Sequence, residues 1–189
     1  MSKREKDQLI YDEIEKTYTK IINPRLNKKI KYFFKLRRYP GENVKYISEL
    51  FLQNGIKTFE VIEANKYKTV TKEVVGKTLT EELENTNDSE KIKRLIDKYV
   101  DIVSKIIKLD IYFGDFNYYN FIVNEKEELI VIDLEDYRKD FFSKFRRKEM
   151  MKRLKAKLIF MQNIMKNKNE NLSGEKIYLK IEEKLKNMI

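Results

Sequence analysis

Two short apolar runs joined by one charged turn constrain this chain more than any other feature. Residues 111 to 123 read Ile-Tyr-Phe-Gly-Asp-Phe-Asn-Tyr-Tyr-Asn-Phe-Ile-Val, residues 124 to 128 are polar or charged, and residues 129 to 135 read Leu-Ile-Val-Ile-Asp-Leu-Glu. Apolar runs of this length on either side of such a turn predict a β-hairpin. The hairpin presents Asn120, where the first strand starts, and Asp133, where the second ends, at neighbouring points. Asp115 stands five positions before Asn120, directly after Gly114.

Asp and Asn in a Gly-containing loop are ordinary turn formers, so Asp-x-x-x-x-Asn alone says little. Its setting, with Gly114 before the Asp, an apolar strand after the Asn and a second strand ending in Asp133, gives it chemical meaning. Transfer of a γ-phosphoryl group asks the protein for positioning and charge neutralisation more than for covalent work. Magnesium takes oxygen ligands, and one amide plus one carboxylate supply two while leaving room for phosphate oxygens and water. An Asp in the preceding loop can orient an acceptor hydroxyl and receive its proton. Asn120 and Asp133 are therefore the candidate metal ligands and Asp115 the candidate general base.

Composition narrows the alternatives. The chain has 189 residues with no Cys and no His, which excludes disulfides, thiolate chemistry and histidine bases or ligands. No apolar run approaches the roughly eighteen residues of a membrane span, so the expectation is a soluble, cytoplasmic protein. The net charge of +10 is concentrated: residues 25 to 45 carry eight Lys or Arg against one Glu, and residues 138 to 168 carry twelve against two acids. Such basic faces suit a solvated helix surface, an anionic membrane, a phosphorylated glycan or nucleic acid. Phe33, Phe34 and Phe145 interleave the charges at helical spacing, which favours a place in the core over base stacking; a basic nucleic-acid-binding protein using Lys28 to Arg38 and Arg146 to Lys157 stays as a less favoured alternative.

The charged residues 1 to 8 are expected to fray. From Leu9 to Ile22, β-branched and aromatic residues predict two short strands closed by Pro24, with Lys20 on the second. A basic helix is predicted over Leu26 to Arg38, with Ile30, Phe33 and Phe34 as its apolar side, and a second helix over about Glu42 to Asn54, with Glu49 in its interior. Strands follow at Phe59 to Ala64 and Lys68 to Val75. Gly76-Lys77-Thr78 is not a P-loop, because the position five before Gly76 is Thr71 and not Gly; Gly76 reads as a hinge. Thr78 and Glu81 form a capping box, and Asp88 starts a long helix to about Leu109 with Ile92, Leu95, Ile96, Tyr99, Val103, Ile106 and Ile107 on its buried side. Basic helices are predicted over roughly Phe141 to Met165, and a last docking helix carries Ile177, Ile181 and Leu185.

The order of these parts resembles the protein-kinase-like fold, and within it the bacterial lipopolysaccharide core heptose kinases. The likeness runs from about Lys20 to Arg138 and rests on Lys20-Ile-Ile-Asn-Pro24, Gly41-Glu-Asn43, Gly114-Asp-x-x-x-x-Asn-Phe-Ile122 and Ile132-Asp-Leu134. It implies an α+β fold of two lobes, a reduced N-terminal lobe over residues 1–75 and a mostly helical C-terminal lobe over 76–189. It also implies an ATP- and Mg2+-dependent kinase acting on a hydroxyl of a glycan or glycolipid, with contact to the inner face of a membrane. The family pattern assigns Lys20 to the nucleotide phosphates with Glu49 as its partner, Asp115 as catalytic base, Asn120 and Asp133 to magnesium, and Glu73 to Gly76 to the adenine pocket. Lys35 is the alternative phosphate-binding lysine. The chain departs from the pattern in having no glycine among the nineteen residues before Lys20, Phe113 two positions before Asp115, and Asp133-Leu-Glu135 for Asp-Phe-Gly. The first two departures fit a kinase-like module that binds nucleotide without transferring phosphate as the alternative, while the third is one that small-molecule kinases of this fold tolerate.

Overall fold

A computed structural model of the chain describes residues 7–140 and 142–187. Most of the expected fraying segment, residues 1–6, and Phe141, the expected start of a basic helix, lie outside these. Strands β1 (Gln8–Asp12), β2 (Thr17–Ile21), β3 (Val61–Ala64) and β4 (Lys68–Lys72) form an antiparallel sheet in the order β1-β2-β4-β3. Lys20 sits on β2 opposite Leu9 on one side and Thr69 on the other. The turn between β1 and β2 needs no glycine. Asp12 Oδ1 accepts hydrogen bonds from the backbone N–H groups of Ile14 and Glu15 at 2.9 and 3.0 Å, and Lys16 takes the left-handed conformation at φ 51°. A side-chain acceptor thus replaces the flexibility that glycine would give.

Helix α1 spans Leu26–Phe33 and stops earlier than its sequence pattern, because Lys35 adopts φ 54° and reverses the chain. Its apolar side is not in the core: Ile30, Phe33 and Phe34 are exposed, as is Phe145, contrary to expectation. Helix α2 spans Pro40–Gln53. Pro40 opens it, where a missing N–H costs nothing. Gly41 lets the helix start press on the turn between β3 and β4; a Cβ there would overlap the carbonyl oxygen of Asn65. Val44, Ile47 and Phe51 of α2 are buried.

A second, three-stranded sheet has the order β5 (Lys77–Thr78), β6 (Phe121–Val123), β7 (Leu129–Val131), so the predicted hairpin forms, with Phe121 opposite Val131. Helix α3 (Leu79–Asn85) begins on the capping box, in which Glu81 N–H donates to the Thr78 hydroxyl and Thr78 N–H donates to the Glu81 carboxylate. Helix α4 (Ser89–Lys108) is capped by Asp88, which accepts from the N–H groups of Glu90 and Lys91. The seven apolar residues expected on its inner side are all buried, and each contributes about 1.5–3 kcal/mol by leaving water. Helix α5 (Arg147–Ile164) and helix α6 (Gly174–Asn187) complete the fold. Lys180 pairs with Asp97 at 2.7 Å and Lys184 with Asp101, tying α6 to α4.

One apolar core runs from α2 through α4 to Ile177 and Ile181 of α6. Residues of α2 share it with the helices that follow β7. The fold is α+β, and among the described residues no helix is long and apolar enough to cross a membrane.

Candidate functional site

The hairpin sets the geometry of the site. Ile132 N–H donates to the Asn120 carbonyl at 2.9 Å, closing the ladder just before Asp133. Asp133 then adopts φ 61°, ψ 55°, a left-handed conformation that Asp tolerates better than most residues and that persists where the surroundings enforce it. Asn120 ends a short 3-10 turn, Tyr118–Asn120, and its Nδ2 donates to the Asp115 carbonyl at 3.3 Å. Its Oδ1 accepts no hydrogen bond among the described residues. Asn120 and Asp133 line one cleft of about 430 Å³, whose apolar walls come from Leu9 and Val74 on one side and from Ile122 and Ile132 on the other.

Lys20 enters the same cleft from the four-stranded sheet. Its Nζ lies 2.8 Å from Asp133 Oδ1 and 2.8 Å from Glu135 Oε1. Burial alone would weaken the ammonium, but the carboxylates of Glu135 and Asp133 outweigh it and hold the Lys20 pKa above its ordinary value. For Asp133, burial opposes the charge, while a shared hydrogen bond with Glu135 and the Lys20 charge draw its pKa below the usual carboxylate range. Glu135 goes the other way. Burial first, then the neighbouring Asp133, push it up to about 7, and its Oε2 is buried with no hydrogen-bond partner among the described residues. The two carboxyls thus diverge, one charged and one poised near neutrality.

This triad corrects the expected pairing of Lys20 with Glu49. Glu49 lies on the exposed side of α2 and forms no ion pair among the described residues. The partner that sequence reading missed is Glu135, visible in the sequence only as an acid where the fold usually has glycine. Lys35 is not on a strand; it follows α1 and lines a basic cleft with Arg37, Arg38 and Arg138. Glu73 and Gly76 do not line the apolar cleft, and their segment reaches it through Val74. The Glu73 carboxylate instead accepts from the Tyr11 hydroxyl at 3.0 Å. Gly76, at φ 154°, lies against the backbone of Val123, where a Cβ would overlap the carbonyl oxygen.

Asp115 is carried by a loop braced on aromatics. Buried Tyr99 donates its hydroxyl hydrogen bond to the Phe116 carbonyl at 3.0 Å. Phe113 packs on Phe116 and stacks on Tyr137 with ring centroids 4.7 Å apart, so the position two before Asp115 serves the core. The Asp115 carboxylate is half-exposed and 3.7 Å from Lys157 Nζ. It opens onto a separate cleft of about 450 Å³ whose cations are Arg138, Arg153 and Lys157. Beneath the site the Tyr137 hydroxyl is buried without a hydrogen-bond partner among the described residues.

Among the described residues no group of three or more His, Cys, Asp or Glu forms a metal-binding cluster. The donor set nevertheless fits Mg2+ held with a nucleotide, since that ion takes one or two protein oxygens and fills its remaining positions with phosphate and water. Asn120 Oδ1 and the Asp133 carboxylate are donors of that kind, and Lys20 beside them is suited to phosphate oxygens.

Comparison with known proteins places the fold. No protein-family model matches the chain, and no curated protein sequence matches it. Among solved structures, the chain is similar to the Rio2 kinase of Chaetomium thermophilum in a complex with ADP/Mg2+ and phosphoaspartate, with a TM-score of 0.55 at 13% identity over 97% of this chain and 68% of that one. A second structure of the Rio2 kinase from the same organism gives a TM-score of 0.53 at 14% identity over 96% and 69%. At such identities the likeness concerns architecture, which is protein-kinase-like.

Proposed function

We propose that the chain is an ATP-dependent phosphotransferase acting on a hydroxyl, most specifically a heptose hydroxyl of a lipopolysaccharide core. The observation that carries this reading is the convergence of Lys20, Asn120 and Asp133 on one cleft with apolar walls, with Asp115 joined to Asn120 by a hydrogen bond. The apolar walls suit a flat base and the polar end suits its phosphates. The Rio2 kinase neighbour, bound to ADP and Mg2+, supports nucleotide and metal use at the level of the fold. The heptose acceptor rests on the sequence motifs around Gly41, Gly114 and Asp133, and a lipid-linked acceptor requires access to a membrane surface.

In this reading Lys20 holds the phosphates, and Asn120 and Asp133 hold Mg2+, which supplies neutralisation of the charge on the transferred group. Asp115 orients the acceptor hydroxyl and takes its proton as the new O–P bond forms and the bond to the departing ADP breaks. Arg138, Arg153 and Lys157 line the acceptor side, where an anionic substrate is favoured. Asp115→Asn is expected to lower transfer at least about 100-fold while leaving intact the rise in melting temperature given by ATP with Mg2+. Unchanged turnover in that variant removes Asp115 from the chemistry.

The second reading is a nucleotide-binding module without transfer. It is favoured by the ion pair of Lys20 with Glu135, which occupies the lysine that phosphates require. Thermal stabilisation by ATP with Mg2+, together with no ATP turnover that depends on Asp115 in the presence of core oligosaccharide, selects it.

A further inference from the structure

Helix α1 turns its apolar face to solvent. Leu26, Ile30 and Phe33, with Phe34 just past the helix end, are 74%, 50%, 76% and 66% exposed, and Tyr32 is the one buried residue of the helix. At about 100° per residue, Leu26, Ile30 and Phe33 fall on one line along the helix with Phe34 beside it. Lys29 and Lys31 flank that line on its two sides, and Lys28 and Tyr32 lie opposite, toward the protein. The Phe33 and Phe34 rings meet edge-on at 5.4 Å, so the apolar residues form one patch. An eight-residue helix has little stability of its own, and a patch of this kind on a folded protein marks an interaction surface.

We propose that α1 lies in the headgroup plane of an anionic lipid bilayer, its apolar line at the acyl boundary and its lysines among the lipid phosphates. Charge complementarity selects this partner: residues 25 to 45 hold eight cations and a single acid, Glu42. The side chains of the apolar face are partly aliphatic, Leu26 and Ile30, which cannot stack on bases as nucleic-acid binding requires. The placement has a consequence for the site. The cleft that Lys28 and Tyr32 of α1 line is lined also by Lys20, Asp133 and Glu135, so α1 on a bilayer keeps the candidate site near the membrane surface, behind the helix.

The contact stands on α1 and holds whether or not the cleft transfers phosphate, because it is read as vesicle binding without nucleotide. Co-sedimentation with phosphatidylcholine vesicles containing about one third phosphatidylglycerol is the test, run at about 0.05 M and about 0.5 M salt. The full chain is expected to bind these vesicles at low salt, to bind pure phosphatidylcholine at least about tenfold more weakly, and to be released at high salt. Ile30→Ser with Phe33→Ser is expected to weaken binding by about tenfold or more per side chain, and Lys29→Gln with Lys31→Gln by about fivefold per lysine. All four side chains are exposed, so melting temperatures should stay at the wild-type value and confirm that the variants fold. Absence of vesicle binding, equal binding to neutral vesicles, or binding indifferent to the serine substitutions overturns the proposal. So does self-association, or oligonucleotide binding, that the serine substitutions abolish while vesicles are ignored.

Discussion

Replacing Glu135 with Gln should flatten the dependence of stability on pH. The Glu135 side chain is 19% exposed, and burial, reinforced by Asp133 and opposed by Lys20, raises its carboxyl from the ordinary 4.5 to about 7. Between those values the folded chain holds a proton that the unfolded chain has released. The resulting stabilisation is complete below about pH 4.5 and is lost as pH rises through about 7. Each tenfold change in proton affinity is worth about 1.4 kcal/mol, which sets a ceiling of about 3.5 kcal/mol. The value of about 7 already includes the opposing charge of Lys20, and solvent reaching the partly exposed side chain brings the ceiling down to about 1–2 kcal/mol. For a chain of this size that is a fall in melting temperature of about 2–8 °C between pH 5 and pH 8. Gln keeps the shape and is neutral throughout, and Asp133 of the wild-type protein is held below this window. Melting curves by circular dichroism at several pH values, compared as the difference between wild type and Glu135→Gln, isolate the group. Parallel curves for the two proteins would refute the assignment of a near-neutral carboxyl to Glu135.

Lys20→Met leaves Asp133 and Glu135 adjacent without a cation; about 1–2 kcal/mol of stability should be lost in the unliganded protein, along with the rise in melting temperature given by ATP with Mg2+, both measurable by thermal denaturation. Gly76→Ala meets both a conformation that disfavours Cβ and the Val123 carbonyl, and should cost about 2 kcal/mol or more in chemical denaturation; a change within about 0.5 kcal/mol would show that the segment before β5 yields easily.

Local pattern carried a large part of the fold. The hairpin from Phe121 to Val131, the Thr78 capping box and the buried stripe of α4 each follow from contacts within a few residues, and their residues sit as the pattern predicts. The nearness of Asn120 and Asp133 was legible for the same reason, since strand pairing fixes it. Where the determinant is distant, the sequence was silent. Nothing local tells Lys20 to pair with Glu135 rather than Glu49, although helical periodicity held half the answer: Glu49 is two positions from both Ile47 and Phe51, and residues two apart on a helix face different ways. The approach of Lys157 on α5 to Asp115 likewise joins positions that only tertiary packing brings together. For α1 the pattern was read correctly as amphipathic, but amphipathicity does not state which side the protein covers, and here the apolar side faces outward.

The ring contacts beneath the site link parts that many enzymes move separately. Phe51 of α2 meets Tyr137 edge-on at 5.4 Å, Tyr137 stacks on Phe113, and Phe113 leans on Phe116 beside Asp115, while Asn43 of α2 donates to the Tyr137 carbonyl at 2.8 Å. Swinging α2 outward would have to unstack this column and strand a buried amide. The loop bearing Asp115 is therefore tied to α2 through a column of rings, and α2 in turn presses on the turn between β3 and β4, so a displacement of the helix would be felt on both sides of the cleft.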